Sequence, residues 1–168
     1  MFNGSTRHSL CGGDPNRNLM QTYFLKLDPR AIIPEYATEK SSGFDLHAIE
    51  DILIPPGGTR LIKTGLAVLL PVDTELQIRP KSGLSLKGPI RIANSPGTID
   101  EDYLNKDIGI ICDNVGEIPL RICEGDKVAQ GVVCPVLRPK IVKLSLIEYN
   151  LIAETRRTSR DGGFGSTN

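Results

Sequence analysis

Asp51-Ile52-Leu53-Ile54-Pro55-Pro56-Gly57-Gly58-Thr59-Arg60-Leu61-Ile62-Lys63-Thr64-Gly65-Leu66-Ala67-Val68-Leu69-Leu70 decides the fold class. Its apolar runs are too short to make helices that stand on their own, and turn-formers stand between them. Pro55-Pro56-Gly57-Gly58 ends the first run with a strong turn signal. Gly65 divides the second run from the third, which predicts a bulge or a close backbone approach there. The same rhythm extends in both directions. Upstream, Tyr23-Phe24-Leu25-Lys26-Leu27 reads as a strand, with Pro29 and Pro34 bracketing the next turn. Downstream, apolar runs recur at 75–79, 90–93, 108–112, 118–123 and 127–137. Short strands at such spacing predict an all-β domain: a sandwich, jelly roll or barrel. Only Ser82-Gly83-Leu84-Ser85-Leu86 and the stretch near Lys140 suit a helical turn.

Composition sets outer limits. A chain of 168 residues holds one domain with a real core. Residues 1–19 are polar and lack apolar periodicity, so they read as a flexible N-terminal extension; 20–155 form the β domain. Residues 156–168, rich in Arg and Gly, read as a flexible C-terminal arm. The 20 Lys and Arg balance 20 Asp and Glu, which argues against a broad electrostatic grip on nucleic acid or an anionic membrane. Apolar runs such as 66–71 are far too short to cross a bilayer. Seventeen Gly and 12 Pro leave little room for long helices. Cys11, Cys112, Cys123 and Cys134 form no C-x-x-C pair, and neither His8 nor His47 stands at metal-ligand spacing from them. The last three fall in apolar segments and are expected to behave as small buried hydrophobes. No secretory apolar core follows Met1, so the expected location is cytoplasmic, or the host-cell cytoplasm or nucleus for a viral chain.

Several segments carry candidate chemistry. Arg79-Pro80-Lys81-Ser82-Gly83-Leu84 runs from a strand into a turn that offers N–H groups, a hydroxyl and a cation to a phosphate. Asn94-Ser95-Pro96-Gly97-Thr98-Ile99-Asp100-Glu101-Asp102-Tyr103 is a loop dense in polar groups: Asp100 is a general-base candidate, and Asn94 can donate and accept at the edge of a base. Asp45, between Phe44 and Leu46, suits a turn or a metal-bound water. In Glu124-Gly125-Asp126-Lys127-Val128-Ala129-Gln130, a hairpin entering a strand, Gln130 needs a partner among apolar neighbours. His47 reads as structural. In the tail, Arg156-Arg157-Thr158-Ser159-Arg160 precedes Gly162-Gly163-Phe164-Gly165-Ser166-Thr167: guanidinium groups and exposed backbone N–H groups match phosphate, and Phe164 can stack on a base.

Taken in order, five of these segments resemble the motifs of the trimeric dUTP pyrophosphatase (dUTPase) family. They are Ser42-Gly43-Phe44-Asp45-Leu46, Pro80-Lys81-Ser82-Gly83-Leu84, Gly97-Thr98-Ile99-Asp100-Glu101-Asp102-Tyr103, Gly125-Asp126-Lys127-Val128-Ala129-Gln130 and Gly162-Gly163-Phe164-Gly165-Ser166-Thr167. The resemblance runs from about residue 23 to the C-terminus. It implies a jelly-roll subunit, a homotrimer with sites built from several subunits, and hydrolysis of dUTP to dUMP and pyrophosphate with Mg²⁺ on the triphosphate. That reaction limits uracil in DNA and supplies dUMP for dTMP synthesis.

Carried over residue by residue, the resemblance makes Asp100 the base that activates water and sets Tyr103 against the deoxyribose. Asn94 and the backbone at Gly97, Thr98, Ile99 and Gly109 would read the uracil. Asp45 would hold the Mg²⁺ through water. Lys81, Ser82, Gly83 and Gln130 would bind the phosphates. Phe164 would cover the uracil, and Arg160, Gly165, Ser166 and Thr167 would reach the outer phosphates from another subunit. Three departures stand out. Lys81 replaces the usual Arg, a point charge for a bidentate fork. Arg160 lies one residue closer to Phe164 than usual, which leaves Arg157 as the alternative ligand. The 103–109 hairpin is one residue longer than common forms and lacks their glycine. A dCTP deaminase of the same superfamily is disfavoured by Tyr103 and the glycine-aromatic tail. A nucleotide-gated regulatory binding protein would call for an inserted recognition segment, and 140–155 gives no obvious one.

Overall fold

The computed structural model describes residues 21–157. The unit that ends at Val136 holds β1 (Tyr23–Lys26), β2 (Phe44–His47), β3 (Ile52–Ile54), β4 (Thr59–Lys63), β5 (Leu66–Leu69) and β6 (Thr74–Arg79). It continues with α1 (Ser82–Lys87), β7 (Ile90–Ile92), β8 (Gly97–Ile99), β9 (Gly109–Asn114), β10 (Leu120–Ile122) and β11 (Lys127–Pro135). The fold is all-β, as the spacing of turn signals predicts. Every pairing is antiparallel. A four-stranded sheet runs β2-β11-β6-β8, a three-stranded sheet runs β4-β9-β7, and β1-β5 and β10-β3 are two-stranded.

Period-2 alternation puts one face of each strand inward. Leu46, Leu76 and Ile78 of the larger sheet join Ile62, Ile92, Ile110 and Cys112 of the smaller in a single apolar cluster. Gly65, between β4 and β5, shows why the sequence breaks there. Its φ of 66° is left-handed, and a Cβ would meet Asp28 Cβ at 2.9 Å and Ala31 Cβ at 3.1 Å. Among the described residues, the two buried polar ones, Thr64 and Asn114, are fully engaged. The Thr64 hydroxyl has Ile108 O at 2.9 Å and Asp107 Oδ1 at 3.2 Å as acceptors. Asn114 Nδ2 donates to Ile54 O and Ile118 O, and its Oδ1 accepts from Gly116 N, so one side chain closes three backbone positions.

The structure departs from the sequence reading in four places. Residues 97–99, read inside a polar loop, form β8, because Ile99 is buried and the triplet pairs with Ile78, Gln77 and Leu76. Phe44–His47 is a strand whose Phe44 and Leu46 point into the core. Cys123 is exposed: it sits past the end of β10 in the turn to β11, where its N–H donates to Asp126 Oδ2. Cys112 is buried as expected, and burial pushes its thiol up to about 12. In the second unit, 146–155 form a ten-residue helix, α2 (Leu146–Thr155), where the sequence reading allows a helical turn near Lys140. A capping box starts it: Ser145 Oγ accepts from Glu148 N, and Glu148 Oε2 accepts from Ser145 N.

Asn114→Ala should lower stability by about 2–3 kcal/mol, since Ile54 O loses a buried partner and Ile118 O and Gly116 N lose partly buried ones. A thermal melt shows this directly; an unshifted midpoint contradicts it.

Candidate active site

The larger sheet sets a polar row across its strands. Asp45 on β2 faces Gln130 on β11, and Gln130 faces Arg79 at the end of β6. The chain leaving β6 carries Lys81, whose ammonium pairs with Asp45 Oδ1, while Lys127 Nζ lies 2.7 Å from Asp45 Oδ2. Burial raises the carboxyl's pKa, but hydrogen bonds from Lys127 and Lys81, with their charges, outweigh it and hold Asp45 below the ordinary carboxylate range. Gln130 Nε2 donates to Pro80 O at 3.0 Å, which gives the polar residue of β11 its partner. Gly43 makes room for that amide, because a Cβ there would come within 2.7 Å of Gln130 Oε1.

Two clefts open beside this cluster. One, of about 450 Å³, is lined by Glu35, Tyr36, Asp45, His47 and Lys127. The other, of about 470 Å³, is lined by Lys81, Gly83, Leu84, Ile90, Leu120 and Lys127. Ser82 and Gly83 are exposed in the first turn of α1, and nothing lies within 4 Å of where a Gly83 Cβ would be. His47 Nδ1 is buried without a partner; desolvation first, then the charge of Lys127, lowers the imidazole's pKa.

A second group gathers around β8. The Asn94 side chain lies against Gly97, 3.2 Å from where a Cβ would be. Thr98 is exposed and Ile99 buried, and Asp100 is exposed just past the strand. The chain then turns, Tyr103 N donating to Asp100 O, and the half-buried Tyr103 ring packs on the core. Lys106 Nζ stands 5.0 Å from that ring's centroid. The lengthened hairpin solves its missing glycine with Asn105, whose φ is 57°. Asp107 Oδ1 ties the hairpin back to Thr64 N and Gly65 N. Gly109 opens β9 beneath Leu61, whose Cδ1 would lie 2.6 Å from an added Cβ, so packing alone accounts for a glycine there.

The structure thus brings Asp45, Lys81 and Gln130 together, with Ser82 and Gly83 following directly in the chain, and brings Asn94 and Gly97 together. It keeps Asp100 away from the lysines within one chain. Ile99 pairs with Leu76, three residues down β6 from Arg79, and β8 is two strands from β11. That amounts to about 10 Å along the sheet and about 10 Å across it. Lys127 is the residue to which the sequence reading gave no role. Arg160, Phe164, Gly165, Ser166 and Thr167 lie outside the described residues, as does the 1–19 extension. Arg157 is described, exposed at the end of α2 and paired with Glu154 at 3.1 Å.

Among the described residues, no three His, Cys, Asp or Glu side chains converge as a metal cage. Both Asp45 oxygens are taken by lysines. This donor set does not fit an ion held directly by the protein.

Comparison with known proteins shows the family to which this chain is similar. The dUTPase family model matches residues 29–168. The deoxyuridine 5'-triphosphate nucleotidohydrolase of Picosynechococcus sp. is 47% identical over 148 residues, 88% of this chain and 99% of that protein. Among solved structures, a variant dUTPase of Staphylococcus bacteriophage 80alpha with dUpNHpp superposes with a TM-score of 0.75 at 23% identity, covering 88% of this chain and 98% of that one. A variant dUTPase from phage phi11 of S. aureus, described as coordinating a structural Mg(II) ion, gives a TM-score of 0.69 at 24% identity, covering 74% and 96%.

The lowered pKa values of His47 and Asp45 make a signed prediction. A group whose proton is disfavoured in the folded state adds stability above its unfolded pKa and loses it as pH falls through the folded one. Melting temperature should therefore drop below about pH 6.5 as His47 is forced to take a proton, and again below about pH 4 as Asp45 does. His47→Gln should flatten the first drop and leave the second; melts of both proteins between pH 7.5 and 3.5 check this.

Proposed function

The chain belongs to the dUTPase family, and on that premise we propose that it hydrolyses dUTP to dUMP and pyrophosphate. The observation that carries the reading is the arrangement of the ordered motifs in the fold. Asp45, Lys81, Lys127 and Gln130 form a cluster with one net positive charge beside open clefts, and Asp100 stands exposed on a separate polar hairpin.

In this reading Lys81, Ser82, Gly83 and Gln130 bind the triphosphate. Asn94 and the backbone at Gly97, Thr98, Ile99 and Gly109 read the uracil edge, and Tyr103 backs the deoxyribose, where a 2′-hydroxyl would clash. Asp100 accepts a proton from water as the water oxygen forms its bond to the α-phosphorus. The bond from that phosphorus to the oxygen bridging α and β breaks, and pyrophosphate leaves with the electron pair. Mg²⁺ on the triphosphate would supply charge neutralisation, and Asp45 would be the residue to hold it, through water. Arg160, or Arg157 in its place, together with Phe164, Gly165, Ser166 and Thr167, closes over the substrate and excludes water.

The distance between Asp100 and the lysines supports a homotrimer in which the two groups of a site come from different chains. The 20–155 region is then the β domain and 156–168 the closing arm. Among the described residues no helix is long and apolar enough to cross a membrane. On the family membership we place the reaction in the cytoplasm.

Pyrophosphate release should be seen with dUTP and Mg²⁺ and should be at least about a hundredfold slower with dTTP, dCTP or UTP. Turnover of dCTP or of all four alike overturns the assignment. Asp100→Asn should keep dUTP binding within a few fold and reduce kcat by about 10²–10⁴; near-normal turnover removes Asp100 as the base.

A further inference from the structure

Lys127 is on the lysine cluster because β11 breaks register. Gln130 faces Asp45, and Ala129 faces Leu46. A regular ladder would continue with Val128 opposite His47 and Lys127 opposite Ala48. The pairing slips by one between Lys127 and Ala129, and Lys127 itself faces His47. Asp45 and His47, two apart on β2, share a face of the sheet, and Gln130 shares it with them. Lys127 precedes Gln130 by an odd number of residues, so an unbroken strand would turn it to the opposite face. That face is the core, where Leu46 and Ala48 are buried. The bulge at Val128 re-aims Lys127, a use bulges commonly have. Its Nζ arrives 2.7 Å from Asp45 Oδ2, while its side chain remains 57% exposed along both clefts.

We infer that Lys127 is a positioning residue for the triphosphate, acting through Asp45. The inference rests on the proposed dUTP reading. One carboxylate holds two ammonium groups, one on each oxygen, and the cluster keeps a net charge of one proton's worth. Without Lys127, Asp45 would turn wholly to Lys81, and the pair would be neutral. Lys81 is a point charge where the family usually has a fork. Lys127 leaves that point charge only partly offset and therefore available to phosphate oxygens. Lys127 acts on Lys81 through Asp45 and takes no part in moving the proton, so the effect belongs to binding.

Lys127→Met should raise KM for dUTP about tenfold and change kcat less than about twofold, and Lys127→Arg should restore KM to within about threefold. In an Asp45→Asn background, Lys127→Met should raise KM by less than about threefold, because the route through Asp45 is gone. Its thermal midpoint should stay close to that of the wild type. An unchanged KM, a loss confined to kcat, or the same tenfold rise in the Asp45→Asn background overturns the inference. Should the wild-type protein fail to hydrolyse dUTP, the dUTP reading falls by itself. Calorimetric titration with inorganic tripolyphosphate then decides Lys127 separately: about tenfold weaker binding by Lys127→Met supports it, and equal binding overturns it.

Discussion

The site depends on one carboxylate that serves two cations. Asp45 sits on the face of β2 opposite the core, between a lysine delivered by the end of β6 and a lysine delivered by the start of β11. Neither lysine would hold its position alone. A long side chain at a partly exposed site gains little from one ion pair in water. Here a single, mostly buried acceptor fixes both, and burial strengthens the pairing that offsets the cost of desolvating the acid. The ordering of β2, β11 and β6 in one sheet is therefore a condition for the cationic cluster, and Gly43 and Gln130 serve the same corner by tying β11 to Pro80.

Much of this was legible in the sequence where glycine and proline punctuate apolar runs. The strands on either side of Gly65 follow directly from that residue's left-handed φ and from the crowding against Asp28 and Ala31. What escaped has a physical cause in each case. β8 is a triplet, too short for any periodicity to show, and exists because β6 offers it an open edge. β2 alternates cleanly, but Ser42-Gly43 before it and Asp45 within it carry turn signals that mask a strand. Cys123 lies among apolar letters yet follows the last paired residue of β10, where the chain turns out to solvent. The Ser145 to Glu148 capping box was there to be read and announces α2.

The site residues divide the same way. Motif order points to Asp45, Lys81, Gln130 and Asp100, because each belongs to a short stretch whose spacing is intact. Lys127 stands in the quoted Gly125-Asp126-Lys127-Val128-Ala129-Gln130 stretch, but strand parity assigns it to the wrong face. Only the register slip reverses that parity, and no residue between 127 and 130 announces a bulge.

The remaining question is why the base should be kept from the lysines within one chain. The sheet answers it geometrically. Asp45, Lys81 and Lys127 gather at one end of the β2-β11-β6 ladder, whereas β8 runs from Gly97 toward Leu76 and carries Asp100 away from that end. Asp107 then ties the hairpin to Thr64 and Gly65, and the Tyr103 ring packs on the core. Neither group can shift toward the other without giving up core contacts or ladder bonds. In the reading proposed above, a substrate that needs uracil recognition, a base and a phosphate cradle at once lies between chains. In the proposed trimer each subunit lends its cradle to one site and its hairpin to another, and the rigid separation seen in the single chain becomes the spacing of the assembled site.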